Sequence, residues 1–218
     1  MSAPFDLVIL DCDGVLVDSE PISNRVLAEH LTAIGMPTTA EESMDRYMGG
    51  SLKAVLVDVQ RRLGRAAPED FVARYRADSY RAFESELQAV EGIEAALDAL
   101  DGTPTCVASS GEHDKLRRTL GQTGLLPRFE GRIFSATEVA RGKPAPDLFL
   151  HAAASMGADP ARCAVVEDAP VGVQAALAAG MTVFAYAGRT PKARLARDGV
   201  RVFGAMAELP GLLTGATH

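Results

Sequence analysis

The chain is poor in cysteine. Only Cys12, Cys106 and Cys163 occur in 218 residues. They are far apart, odd in number, and form no Cys-x-x-Cys pair, so neither a zinc knuckle nor a disulfide framework is indicated. Three buried thiols in a reducing cytoplasm are expected. Long apolar runs are missing as well. No segment approaches 18 uninterrupted apolar residues, which excludes a membrane-spanning helix. The opening Met-Ser-Ala-Pro-Phe-Asp lacks the basic stretch of a secretory signal, and the apolar run behind it, Leu7–Leu10, is too short for one. Positive charge is in deficit: 22 Lys and Arg stand against 29 Asp and Glu, a net charge of −7. A nonspecific nucleic-acid binder needs a basic face to displace counterions, so that class is set aside. A small anionic ligand remains open, because a local site can oppose the global charge.

What is present is ordinary globular composition, with 47% hydrophobic and 23% charged residues. The length suggests one large domain, or one domain carrying a smaller insert. Short apolar runs at Phe5–Leu10, Thr105–Ala108, Arg132–Ser135, Arg162–Val166 and Met181–Tyr186 read as strands. Helical patterns follow them, which is the signature of βα units around a parallel sheet with helices on both faces. Helices are expected at Glu112–Gly121, at Leu148–Met156 behind Pro146-Asp147, and at Val171–Ala179, with Pro170 at its start and Gly180 at its end. Between Glu20 and Glu86 the pattern changes. Helical periodicity covers Ile22–Ile34, Leu52–Leu63 and Glu69–Ser85, and no convincing strand occurs. This stretch reads as a helical insert after the first strand. The expected division is residues 1–17 with 90–218 as an α/β core, and residues 18–89 as the insert. The closing Gly-Ala-Thr-His reads as a frayed tail.

In an open parallel sheet, ligands bind outside the carboxyl ends of the strands. The residues expected there are Asp11, Asp13, Ser109, Ser110, Lys143, Glu167 and Asp168. Asp11 and Asp13 are two apart, so a continuing strand would point them the same way. Two carboxylates about 4 Å apart repel by several kcal/mol at an effective dielectric of about 20. Such a pair needs a cation or a shared proton. With Glu167 and Asp168 added, a hard divalent cation with oxygen ligands, Mg²⁺ by preference, resolves the load. Each feature also has a plain reading by itself. Asp-x-Asp-Gly suits a turn, Glu-Asp before Ala-Pro and Ser109 suit helix caps, and Lys143 suits a solvated loop. Their joint arrival at successive strand ends favours a site. The stretch from Thr137 to Pro144 is no P-loop, because Pro144 follows Gly142-Lys143 and Thr137 stands where the first Gly belongs; nor does a Gly-x-Ser-x-Gly elbow surround Ser109 or Ser110.

Four motifs in register over essentially the whole chain carry a resemblance. They are Asp11-Cys-Asp13-Gly-Val-Leu-Val-Asp18-Ser19, Val107-Ala-Ser109-Ser110-Gly111, Arg141-Gly-Lys143-Pro-Ala-Pro-Asp147, and Val165-Val-Glu167-Asp168-Ala-Pro-Val-Gly172. In them the sequence resembles the haloacid-dehalogenase superfamily phosphohydrolases with an α-helical cap, in the branch of beta-phosphoglucomutase and phosphoglycolate phosphatase. The resemblance implies a Rossmann-like core whose cap hinges near Val15–Glu20 and Gln88–Gly92. It implies a Mg²⁺-dependent phosphatase of a small phosphorylated metabolite, a sugar phosphate or phosphorylated sugar acid, acting through an aspartyl-phosphate. Asp11 would be the nucleophile, Asp13 the general acid and then base, and Lys143 the neutralising cation. Ser109, Ser110 and Gly111 would bind the phosphoryl oxygens. The metal would be held by Asp11, Asp13 through its backbone carbonyl, Asp168, and Glu167 directly or through water. Arg46 and Lys53 are candidate substrate contacts in the cap, or else solvated helix residues. One alternative is a phosphosugar mutase; the histidine that beta-phosphoglucomutases carry in the first cap helix is Ser23 here by spacing, with His30 two turns along. A second alternative is a non-catalytic binding protein on the same fold. A monomer in the cytoplasm is expected, with no nucleic-acid or membrane partner.

Overall fold

A computed structural model describes residues 5–50, 52–100 and 102–215. Met1–Pro4, Ser51, Asp101 and Ala216–His218 of the closing tail therefore lie outside the described residues. The first element is strand β1, Leu7–Leu10, with all four residues buried. Four helices follow: α1 (Glu20–Ala33), α2 (Ala40–Tyr47), α3 (Leu52–Leu63) and α4 (Phe71–Glu86). Then come α5 (Ile93–Asp98), β2 (Thr105–Ser109), α6 (His113–Gln122), α7 (Leu126–Phe129), β3 (Ile133–Ser135), α8 (Asp147–Ser155), β4 (Cys163–Glu167), α9 (Pro170–Ala178), β5 (Thr182–Tyr186), α10 (Lys192–Leu195), β6 (Val200–Phe203) and α11 (Leu209–Thr214). Among the described residues the chain divides into two compact units. One ends at Asp18 and resumes at Ala89; the other is Ser19–Gln88. No helix among the described residues is long and apolar enough to cross a membrane.

The first unit is built on a six-stranded parallel sheet of order β3-β2-β1-β4-β5-β6. The chain winds outward through β2 and β3 on one side of β1, and through β4, β5 and β6 on the other. The order therefore reverses between β1 and β4, and ligand crevices form at that switch point. The two central strands, Leu-Val-Ile-Leu and Cys-Ala-Val-Val-Glu, are buried along their length. Their unbroken apolar runs fit a sheet covered on both faces. Period-two alternation then sorts the side chains. Leu7, Ile9, Cys106, Ala108, Cys163, Val165, Val183 and Ala185 share one core with α8 and α9. There the small residues Ala152, Ala153, Ala175 and Ala176 let the helices pack close to the sheet. All three cysteines are free and buried.

The second unit has its own core of Leu27, Leu31, Met36, Tyr47, Val55, Val59 and Phe71. Helix α3 has the bounds that periodicity assigns to it. Helix α2 has no apolar stripe in sequence, Ala-Glu-Glu-Ser-Met-Asp-Arg-Tyr, and buries only Ser43 and Tyr47. A capping box starts it. Thr39 Oγ1 accepts the Glu42 N–H at 3.1 Å, and Glu42 Oε2 accepts the Thr39 N–H at 2.8 Å. Thr39→Ala removes the side-chain acceptor. It should destabilise the protein by about 1 kcal/mol, which is about 2–4 °C in a chain of this size. Thermal unfolding checks this, with Thr39→Ser expected to retain the wild-type midpoint.

Candidate active site

The site grows from the ends of three neighbouring strands. Asp11 follows β1, Ser109 ends β2, and Glu167 ends β4 with Asp168 next to it. The Asp11 N–H donates to Val166 O at 3.0 Å, which ties the β1 exit to β4. Behind Asp11 the chain turns sharply: Gly14 N–H donates to Val17 O at 2.8 Å, and Val17 N–H to Cys12 O at 3.0 Å. Gly14 has φ +80°, and a Cβ there would fall on the Asp168 carboxylate. The glycine is needed both for the left-handed backbone and for the close approach.

Lys143 joins the strands. Its ammonium donates to Asp11 Oδ1 at 2.6 Å, Glu167 Oε1 at 2.7 Å and the Ala108 carbonyl at 3.1 Å. Its side chain is only 3% exposed. All three donors of the ammonium are thus used, as burial of a charge demands. Glu167 is fixed at its other oxygen, where Oε2 accepts the Ala169 N–H at 2.8 Å. Asp11, Glu167 and Asp168 are buried, and each offers a carboxylate oxygen within 4.8 Å of the others. The carboxyl group of Asp13 points elsewhere, with Oδ2 2.6 Å from Lys115 Nζ.

Burial dominates the electrostatics. Burial pushes the Asp11 carboxyl up to about 7; Lys143 opposes this, while Glu167 and Asp13 add to it. Burial alone would lower Lys143, but Asp11 and Glu167 outweigh it and hold the ammonium above the usual lysine range. Three clustered carboxylates thus face the Lys143 ammonium. Buried oxygen donors with surplus charge fit a hard divalent cation.

Other expected residues fall as follows. Ser109 is buried, and its Oγ accepts the Gly111 N–H at 3.3 Å; Ser110 is exposed. Arg46 lies in α2 of the helical unit, 3.6 Å from Asp58 of α3, beside a cavity also lined by Tyr47, Gly50, Ala54 and Val55. Lys53 is exposed on α3. His30 is engaged within its own unit: Nε2 is 3.0 Å from Asp78 Oδ2, and the ring stands edge-on to Phe71 and Tyr75. Sequence reasoning missed Lys115, the partner of Asp13. The signal was available, since a helix beginning directly after a strand-end loop directs its first turn at that same edge. It also missed Arg189, after β5, whose guanidinium grips both oxygens of Asp18 in the first motif.

A family model for haloacid dehalogenase-like hydrolases matches residues 5–180. The chain is 34% identical over 208 residues to the 6-phosphogluconate phosphatase of Escherichia coli K12, covering 95% of this chain and 94% of that protein. In structure it is similar to a haloacid dehalogenase-like protein of unknown function from Agrobacterium tumefaciens, with TM-score 0.87 and 36% identity over 97% of this chain and 98% of that one. It is also similar to a family hydrolase from Deinococcus radiodurans solved with bound phosphate and sodium, with TM-score 0.82 and 33% identity over 99% and 97% of the two chains.

With divalent cations removed, the raised Asp11 group makes a signed prediction. Its folded value of about 7 lies above the unfolded value of about 3.9. The fold therefore favours the protonated form. That stabilisation is complete below the unfolded value and is lost as pH rises through about 7. The thermal midpoint of metal-free protein should fall between pH 5 and 8 more steeply than that of Asp11→Asn. Parallel profiles would reject the assignment.

Proposed function

This chain belongs to the haloacid dehalogenase-like hydrolases and is a phosphoric monoester hydrolase, and we propose that it is a Mg²⁺-dependent phosphatase of phosphorylated sugars or sugar acids that works through an aspartyl-phosphate. The observation that carries this reading is the buried Asp11–Lys143–Glu167 contact with Asp168 beside it. It joins a nucleophile, a fixed cation and an oxygen-rich metal set at the switch point of the sheet.

The residues divide the work. Asp11 attacks phosphorus in line, forming the Asp11–phosphorus bond as the bond to the sugar oxygen breaks. Asp13 gives a proton to that oxygen, then accepts one from the water that attacks the aspartyl-phosphate and releases inorganic phosphate. Lys115 aims the Asp13 carboxyl. Lys143 orients Asp11 and offsets charge on the transferring group. Ser109, Ser110 and Gly111 receive the equatorial oxygens. Held by Asp11, Asp168, the Asp13 carbonyl and Glu167, Mg²⁺ would neutralise the phosphoryl oxygens facing the acidic cluster. The helical unit serves as the cap, with Arg46 and Lys53 as substrate contacts. The likeness to a 6-phosphogluconate phosphatase makes that sugar acid phosphate the first substrate to assay.

Phosphate release from 6-phosphogluconate and a panel of sugar phosphates tests the proposal. Activity should require Mg²⁺ and disappear with EDTA. Asp11→Asn should lower kcat by roughly 10⁴-fold or more, the scale of removing a nucleophile. Rapid quench with ³²P-labelled substrate should trap phosphate on wild-type protein only. Full turnover by Asp11→Asn, or a sugar phosphate isomerised without phosphate release, would overturn it.

A further inference from the structure

The loop Ser109–Gly111 contains a glycine, the residue that loses most backbone freedom on ordering. The helix behind it packs Leu116 against Gly111. The N-cap of α6, Glu112, makes no side-chain cap hydrogen bond. A further hold comes from the next strand. Ser135 stands in register with Ser109 across the β2–β3 pair. It is fully buried, and its Oγ donates to the Gly111 carbonyl at 2.6 Å. A serine hydroxyl has one proton and two lone pairs. With the proton given to Gly111, its oxygen accepts the Thr137 N–H at 3.1 Å and the Thr137 hydroxyl at 2.9 Å. The hydroxyl is saturated, and its direction is set.

Glu138 lies behind Ser135. Its Oε2 accepts the Ser135 N–H at 2.6 Å and is 3.1 Å from His113 Nε2, while Oε1 is 3.6 Å from His151 Nε2. A cap for the short turn Ala136–Glu138 needs only the reciprocal Ser135–Glu138 pair. Of the further contacts, the one to His151 reaches α8 and the one to His113 reaches the helix that follows the loop. Through Ser135 the carboxylate fixes Gly111, and through His113 it meets the first residue of α6. The Gly111–Glu112 peptide lies between those two points.

We propose that Glu138 is a positioning residue that, through Ser135, presets the loop Ser109–Gly111 to receive the phosphoryl group. This rests on the reading of that loop as the phosphoryl-binding loop. A loop ordered beforehand spares the bound state that ordering. Loss of the relay should therefore weaken binding of the phosphoryl group more than it slows turnover.

Three variants test it: Glu138→Ala, Glu138→Gln and Ser135→Ala. With 6-phosphogluconate, Glu138→Ala should lower kcat/KM by about ten- to a hundredfold, the scale of a small misplacement away from the chemistry. Most of the loss should lie in KM, with a parallel rise in the inhibition constant of inorganic phosphate. Glu138→Gln keeps an acceptor for the Ser135 N–H and should recover to within about threefold of wild type. Ser135→Ala should match Glu138→Ala, and the double variant should be no worse than either, because the two residues form one relay. A merely structural role would lower the active fraction and kcat, leaving KM and phosphate affinity unchanged. A folded Glu138→Ala protein with wild-type KM and phosphate inhibition would overturn the proposal. If Glu138→Ala fails to fold, an unchanged KM in Ser135→Ala would do the same. Calorimetric titration of inorganic phosphate with Mg²⁺ separates the two readings. Wild-type protein that neither hydrolyses nor binds phosphate rejects the phosphatase reading. Wild type and Glu138→Ala that bind equally reject only the positioning role.

Discussion

A buried ammonium must find an acceptor for each of its protons, or its desolvation goes uncompensated. Lys143 meets that demand with Asp11 from the exit of β1, the Ala108 carbonyl from β2, and Glu167 from β4. These strands are neighbours in the order β2-β1-β4. Each supplies one acceptor, so the cation reads out the sheet topology. A different strand order would leave Lys143 short of a partner and a carboxylate short of its cation. Fold and site are in this sense one constraint.

The same crowding explains why particular glycines sit where they do. Gly172, in the first turn of α9, has no room for a side chain, because a Cβ would fall on the Glu167 carboxylate. That carboxylate is tied at both oxygens, to Lys143 and to the Ala169 N–H, and has nowhere to retreat. Gly14 plays the matching part against Asp168. A helix and a turn thus approach the acidic cluster as closely as backbone allows, which keeps solvent away and keeps the charges strongly coupled.

Central strands were legible in the sequence because burial on both faces demands an unbroken apolar run, which Leu7–Leu10 and Cys163–Val166 provide. Helix α3 was legible from period alone. Helix α2 was not, since a capping box and two buried residues hold it rather than a stripe. Strand β6 escaped because an edge strand, Val-Arg-Val-Phe, exposes its Arg and resembles loop in a short window. At the site, Asp11, Lys143, Glu167 and Asp168 were legible because each closes a strand or follows one in a dense motif. Lys115 and Glu138 were missed. A place in the first turn of the helix after β2 was the one mark of Lys115, which acts on Asp13; no local pattern marks Glu138, which acts through Ser135.

The local charge balance, unlike the overall −7, bears on the ligand. Asp11, Asp13, Glu167 and Asp168 contribute four negative charges when ionised, and Lys143 and Lys115 return two through direct contacts. The proposed phosphoryl substrate would add negative charge to that cluster, in a buried setting where screening is weak. A divalent cation would offset that charge more fully than a monovalent one. In the proposed reading, donors in the loop Ser109–Gly111 would then act on the phosphoryl oxygens while the acids would hold the cation. On the proposed reading, the surplus of acid would make an anionic substrate admissible, because it would recruit a cation whose charge can serve both sides.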